Sequence, residues 1–169
     1  MSFDLAQVNV SRLLGPLDSP LLAEFMAALD EVNASGDVAD GFLWRMQTED
    51  GNATAVKAFG WDVGGSHGVI VNLTTWGSVQ ALANFVFSGQ HLEVMRRRRQ
   101  WFQGAVEPMT ALWWVPADHR PSTEAAEYRV RHLRQHGPSP AAFTFRASFP
   151  PPDQPKGVVF SGDDWLCPA

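Results

Sequence analysis

The chain has 169 residues, 45% of them hydrophobic and 18% charged, and a formal net charge of −5. That length suits one domain with its own core, and the acidic balance excludes a general nucleic-acid binder, which needs surplus Lys and Arg on one face. The one cysteine, Cys167, excludes an internal disulfide, and no stretch approaches the roughly 20 apolar residues of a membrane span.

From the start, Phe3, Leu5, Gln7 and Asn9 alternate with Asp4, Ala6, Val8 and Val10, which predicts a strand with amides on one face. The opening MSFDLAQVNV has neither a basic lead nor a long apolar run, so no signal peptide is expected and the expected location is cytoplasmic. Gly15-Pro16 breaks the strand. Asp18 or Ser19 before Pro20, then Leu21, Leu22, Phe25, Met26 and Leu29, predict a helix from Pro20 to about Asn33. Phe42, Trp44 and Met46 follow on one face of a second strand with Arg45 on the other. Asp50-Gly51 signals a hairpin returning over Ala53 to Phe59, and Gly60 to Gly68 is a glycine-rich loop.

Val69 to Trp76 is the strongest strand, with Asn72 on the side of Ile70, Thr74 and Trp76. Ser78 caps a helix carrying Val79, Leu82, Ala83 and Val86, which Ser88-Gly89 stops. From Gln90 a second helix aligns Leu92, Met95, Arg99 and Phe102, with His91 at the edge of that stripe. Ala111 to Pro116 is a strand with Trp113 and Trp114 on opposite sides, and Ser122 caps a last helix that Gly137-Pro138 ends. Ala141 to Phe145 forms a final short strand. PPPDQPKG is a spacer, and the apolar groups of VVFSGDDWLCPA are enough to dock, for example on a neighbouring subunit.

This order is the split β-α-β pattern of ferredoxin-like domains. It predicts an α+β fold in residues 1–146, an antiparallel sheet with helices on one face, and a Pro-rich extension over 147–169. The uncovered sheet face predicts a homodimer.

The run Val69 to Phe102, a strand with Trp-x-Ser, a helix, Ser-Gly-x-His and an Arg-rich helix ending in Trp-Phe, resembles an uncharacterised bacterial family of the dimeric α/β-barrel superfamily. Leu5-Ala6-Gln7-Val8-Asn9, Gln47-Thr48-Glu49-Asp50-Gly51, Leu112-Trp113-Trp114-Val115-Pro116 and Phe143-Thr144-Phe145 are similar too, so the resemblance spans roughly Leu5 to Phe145. It implies a protomer whose sheet packs on its mate's. The superfamily includes antibiotic-biosynthesis monooxygenases that need neither metal nor flavin, and haem-binding branches.

Seven Trp and eleven Phe beside one Tyr call for a dense core or an aromatic-walled cavity. Trp44, Trp76, Trp101, Trp113 and Trp114 therefore wall a flat hydrophobic ligand or pack in the core. His91 is a structural histidine, a general base near neutral pH, or an axial haem ligand. Within Arg96 to Arg99, a solvated face or an anion site, Arg99 stands out for its apolar stripe. Arg45 makes an ion pair or touches a ligand. Gln7, Asn9 and Asn72 are amides that either hold a substrate oxygen or satisfy a structural hydrogen bond.

His67, His91 and His119 match no metal-ligand spacing, so no metal site is expected. The favoured expectation is a cofactor-independent enzyme, monooxygenase- or cyclase-like, acting on a hydrophobic aromatic or polyketide-like substrate. His91 would move the proton, with Arg99 and Asn72 assisting; Gln7, Trp44, Arg45, Trp76, Trp101, Trp113 and Trp114 would bind. The alternatives are haem binding through His91 and a non-catalytic ligand-binding or stress-response module.

Overall fold

The computed structural model describes residues 2–154; the expected docking of the terminal VVFSGDDWLCPA lies outside them. The described chain runs β1 (Phe3–Arg12), α1 (Ala23–Asp37), β2 (Phe42–Arg45), β3 (Val69–Trp76), α2 (Val79–Val86), α3 (Gly89–Arg97), β4 (Thr110–Pro116) and α4 (Thr123–His136). The four strands form one antiparallel sheet in the order β2-β3-β1-β4. That is the ferredoxin-like arrangement expected from the pattern, an α+β fold.

Local chemistry sets the boundaries. Pro20 opens a 3-10 turn that leads into α1. The Ser78 hydroxyl accepts from the Ala81 amide (3.0 Å) and the Ser122 hydroxyl from Ala125 (3.2 Å), so α2 and α4 begin on side-chain caps. Gly137, at φ 74°, ends α4 with its amide donating to Leu133.

Strand alternation sends two sets of side chains to opposite faces. Leu5 with Trp76 and Leu112 meets Leu82 and Phe85 of α2, while Leu13 and Ile70 meet Phe25 of α1 and Trp101. The other face, Ala6, Val8, Val10, Val71, Leu73, Trp113 and Val115, is buried under Ala126, Val130 and Leu133 of α4 and under Phe59. Each such large apolar side chain is worth about 1.5–3 kcal/mol buried. Helices α1 to α3 thus share one face as expected, but α4 closes the second face within the same chain.

Two further departures have local causes. The β2–β3 register shifts between Phe42 and Trp44, so Phe42 turns to Trp76 (ring centroids 5.3 Å) while Trp44 and Met46 pack on the α4 side. The expected return strand over Ala53 to Phe59 is absent. Phe59 instead sits at φ 57°, fully buried, with its amide donating to Glu127 (2.6 Å).

The expected strand at Ala141 to Phe145 is reduced to isolated bridges, of which one reaches β4: Phe143 and Leu112 exchange backbone hydrogen bonds of 2.8 Å along its rim. Packing continues to Phe149, whose carbonyl accepts from the Trp114 indole at 2.8 Å.

Candidate functional site

On the face covered by α1, α2 and α3, cross-strand register aligns two polar rows. Gln7 lies between Thr74 and Leu112, with Arg45 beyond Thr74; Asn9 lies between Asn72 and Thr110. These rows separate the apolar cluster around Leu5 and Trp76 from the one around Leu13 and Phe25. Asn72 is exposed although it stands mid-strand, and Asn9 and Thr110 are half-buried. The helical layer therefore leaves this strip open.

Within the strip the hydrogen bonds are ordered. The Trp76 indole donates to the Thr74 hydroxyl (2.9 Å), which donates to Gln7 Oε1 (2.8 Å). Asn9 Nδ2 donates to Thr110 Oγ1 (2.8 Å), and Ser11 donates to Asn9 Oδ1 (3.2 Å). Among the described residues the Asn72 amide has no partner.

Aromatic rings continue from the strip to His91. Trp76 stacks on Phe85 with centroids 5.2 Å apart, and Phe85 lies 5.0 Å from the His91 ring. His91 sits in the first turn of α3, at the edge of a groove of roughly 570 Å³ between the end of α1, the length of α2 and the start of α3. Ser35, Ser78, Gln80, Asn84 and Ser88 contribute to its polar lining. Nδ1 of His91 lies 3.0 Å from the Val86 carbonyl. A carbonyl only accepts, so Nδ1 carries the proton and Nε2 the lone pair in the neutral ring. Burial lowers the His91 pKa below its ordinary 6.5, outweighing the Val86 bond, which raises it.

The other expected site residues are dispersed. Arg45 shares the strip's face, but its Nε and Nη2 grip Asp37 (2.7 and 3.0 Å) and its Nη1 donates to the Gly51 carbonyl (2.7 Å). Arg99 is exposed, because the chain tightens from α-helix to a 3-10 turn at Arg98–Gln100 and leaves the apolar stripe. Trp44 and Trp113 pack on the α4 side, Trp101 between α1 and β1, and Trp114 on Phe143. None of the five tryptophans lines the His91 groove.

One cluster had no announcing pattern in the sequence. Asp62, 4% exposed, receives Arg12 Nη2 (2.5 Å) and both Nη atoms of Arg134 (2.7 and 3.0 Å), and Arg12 also reaches Glu107 (2.5 Å). Its neighbour Trp61 lies under the Arg131 guanidinium at 3.9 Å. These bonds tie the 59–62 turn to β1 and α4, a structural role. Among the described residues no group of three His, Cys, Asp or Glu is placed to hold a metal, and no helix is long and apolar enough to cross a membrane.

Strand order and strip together define a ferredoxin-like α+β protein with an open polar sheet face. The chain belongs to the family described as Domain of unknown function (DUF3291), whose model matches residues 4–158. No curated protein matches it. Solved structures that it resembles include Rv0793 from Mycobacterium tuberculosis, 15% identical over 70% of this chain and 99% of that one, with a TM-score of 0.42. Another is SnoaB, a cofactor-independent oxygenase from Streptomyces nogalater, 14% identical over 70% of this chain and 96% of that one, again at 0.42.

Proposed function

We propose that this chain is a cofactor-independent small-molecule enzyme of monooxygenase or cyclase type, acting in the cytoplasm on a hydrophobic, aromatic or polyketide-like ketone. The observation that carries this reading is the His91 imidazole, whose Nδ1 proton is committed to Val86 and whose Nε2 has no partner among the described residues. A neutral, oriented imidazole is a base near neutral pH. His91 would take a proton from carbon beside the substrate carbonyl. The strip amides Gln7 and Asn72 would hold a second carbonyl oxygen, conjugated with the first so that it shares the charge, at the far end of an elongated substrate that bridges strip and groove past Trp76 and Phe85. The stabilised carbanion then reacts with dioxygen, or with a second carbonyl of the same molecule.

Haem ligation through His91 fits less well, because the groove wall is rich in serine and amide groups and includes no Arg or Lys for propionates. A homodimer is part of the proposal. Since α4 occupies the second sheet face, we place the pairing on other surfaces; native mass spectrometry over a concentration series reads the copy number.

The test is oxygen uptake and product mass with a panel of enolisable fused-ring ketones. Wild type should turn over at least one, and His91→Gln should lose about a hundredfold or more in rate. Absence of turnover across the panel, or an unimpaired His91→Gln, would remove the reading. A Soret band from protein made in haem-replete cells, lost in His91→Ala, would favour haem instead.

A further inference from the structure

We infer that Gln7 is a fixed hydrogen-bond donor that recognises a carbonyl or enolate oxygen of the ligand, and that Thr74 and Trp76 are the positioning residues that set its direction. The inference rests on reading the polar strip as the ligand site.

The direction follows from what each group can do. An indole N–H only donates, so the 2.9 Å contact makes the Thr74 oxygen its acceptor. A hydroxyl has one proton, and among the described residues the acceptor that this proton reaches is Gln7 Oε1 at 2.8 Å. Turning the amide over would leave that proton without an acceptor in a site where Thr74 is 7% and Gln7 8% exposed. The carbonyl end of Gln7 is thus turned inward onto Thr74, and its NH2 end faces outward.

That NH2 is also reachable. Gln7 Nε2 makes no hydrogen bond among the described residues, and the sealed side-chain polar atom without a partner is elsewhere, Nε of Arg129. Gln7 Nε2 therefore opens onto accessible space, next to the row that holds exposed Asn72. Ordinarily a glutamine can swap its donor and acceptor ends to suit a ligand. Here it cannot, so the position favours a ligand oxygen and rejects a ligand N–H or O–H that must donate. The strip's two rows carry one charged side chain, Arg45, whose donors are committed to Asp37 and Gly51, so the recognised oxygen belongs to a ketone or enolate more than to a free anion.

The probes are 2-tetralone, an enolisable fused-ring ketone, and tetralin, its deoxygenated hydrocarbon, titrated against the full chain by calorimetry or by ligand-detected NMR. Wild type should bind tetralone more tightly than tetralin. Gln7→Met, which keeps the length and loses the donor, should weaken tetralone about tenfold and leave tetralin unchanged. Thr74→Val, which frees the amide to turn, should weaken tetralone severalfold, and Thr74→Ser should restore it with its hydroxyl. Trp76→Phe should behave like Thr74→Val.

Equal affinity of wild type for the two probes, no saturable binding of tetralone, or a Gln7→Met or Thr74→Val that binds tetralone as wild type does would each overturn the inference. His91→Gln separates it from the enzymatic reading. If that variant loses turnover but binds tetralone normally, both stand; if wild type binds through Gln7 but turns over no ketone, the recognition stands and the enzyme does not.

Discussion

Nδ1 of His91 donates to the carbonyl of Val86, five residues earlier, across the break between α2 and α3. The bond fixes the tautomer, and burial keeps the ring neutral. A pKa lowered from 6.5 means that the unfolded chain takes the proton first. The His91 contribution to stability is thus complete above 6.5, falls as the pH drops below it, and levels off once the folded ring protonates. Long-range nitrogen NMR should show the Nδ1-protonated tautomer at neutral pH and a midpoint below 6.5. A midpoint at or above 6.5 would contradict the burial argument.

Gly41 should tolerate no side chain. It sits at φ 78°, and an added Cβ would lie 2.6 Å from that of Ala81. Gly51 has the same φ with nothing within 4 Å. Gly51→Ala therefore isolates the left-handed strain, about 1–2 kcal/mol, and Gly41→Ala should cost about 1–3 kcal/mol more from crowding. Urea denaturation of the two variants measures the difference; equal losses would show that α2 shifts freely away from Gly41.

Asp62→Asn should be among the most damaging polar substitutions. Removing one partner from a buried ion cluster costs about 3–5 kcal/mol, since Arg12 and Arg134 would keep their charges. Burial alone would raise the Asp62 carboxyl, but hydrogen bonds from Arg134 and Arg12 outweigh it and hold its pKa below 3.8. That stabilisation is present above 3.8 and lost as the pH falls through the lower folded value. Acid unfolding should begin at higher pH in Arg134→Met than in wild type, because the carboxyl then titrates closer to its ordinary range.

A chain ending at Arg146 should be less stable than one ending at Gln154 by about 1–3 kcal/mol. The shorter chain loses the packing of Phe149 on Phe143 (centroids 5.9 Å) and the acceptor of the Trp114 indole. Equal melting temperatures would place the domain boundary at 146.

The sequence was most readable where one residue type has one structural use. Ser78 and Ser122 announced their helices, and β-branched residues marked β3 to the residue. Alternation likewise brought Gln7, Asn72 and Trp76 to one face. It misled at β2, because a bulge inserts a residue without changing composition and so sent Phe42 and Trp44 to opposite faces. It misled again at Arg99, where a helical stripe was extended through a segment that narrows to three residues per turn. Asp62 could not have been picked out, since its partners lie 50 and 72 positions away. The tryptophans were ambiguous from the start; ring area serves a core and a cavity equally well, and only packing decides between them.

Closure of the second sheet face by α4 also bears on the fate of the protein in a crowded solution. With α4 over one face and the other covered except for its polar strip, the backbone left to an intruding chain is at the rims, and Phe143 already occupies the middle of the β4 side. On the β2 side the last strand is four residues long and interrupted by its bulge, a template too short and too twisted to seed a growing ladder. The fold therefore carries its own protection against fibrous self-association.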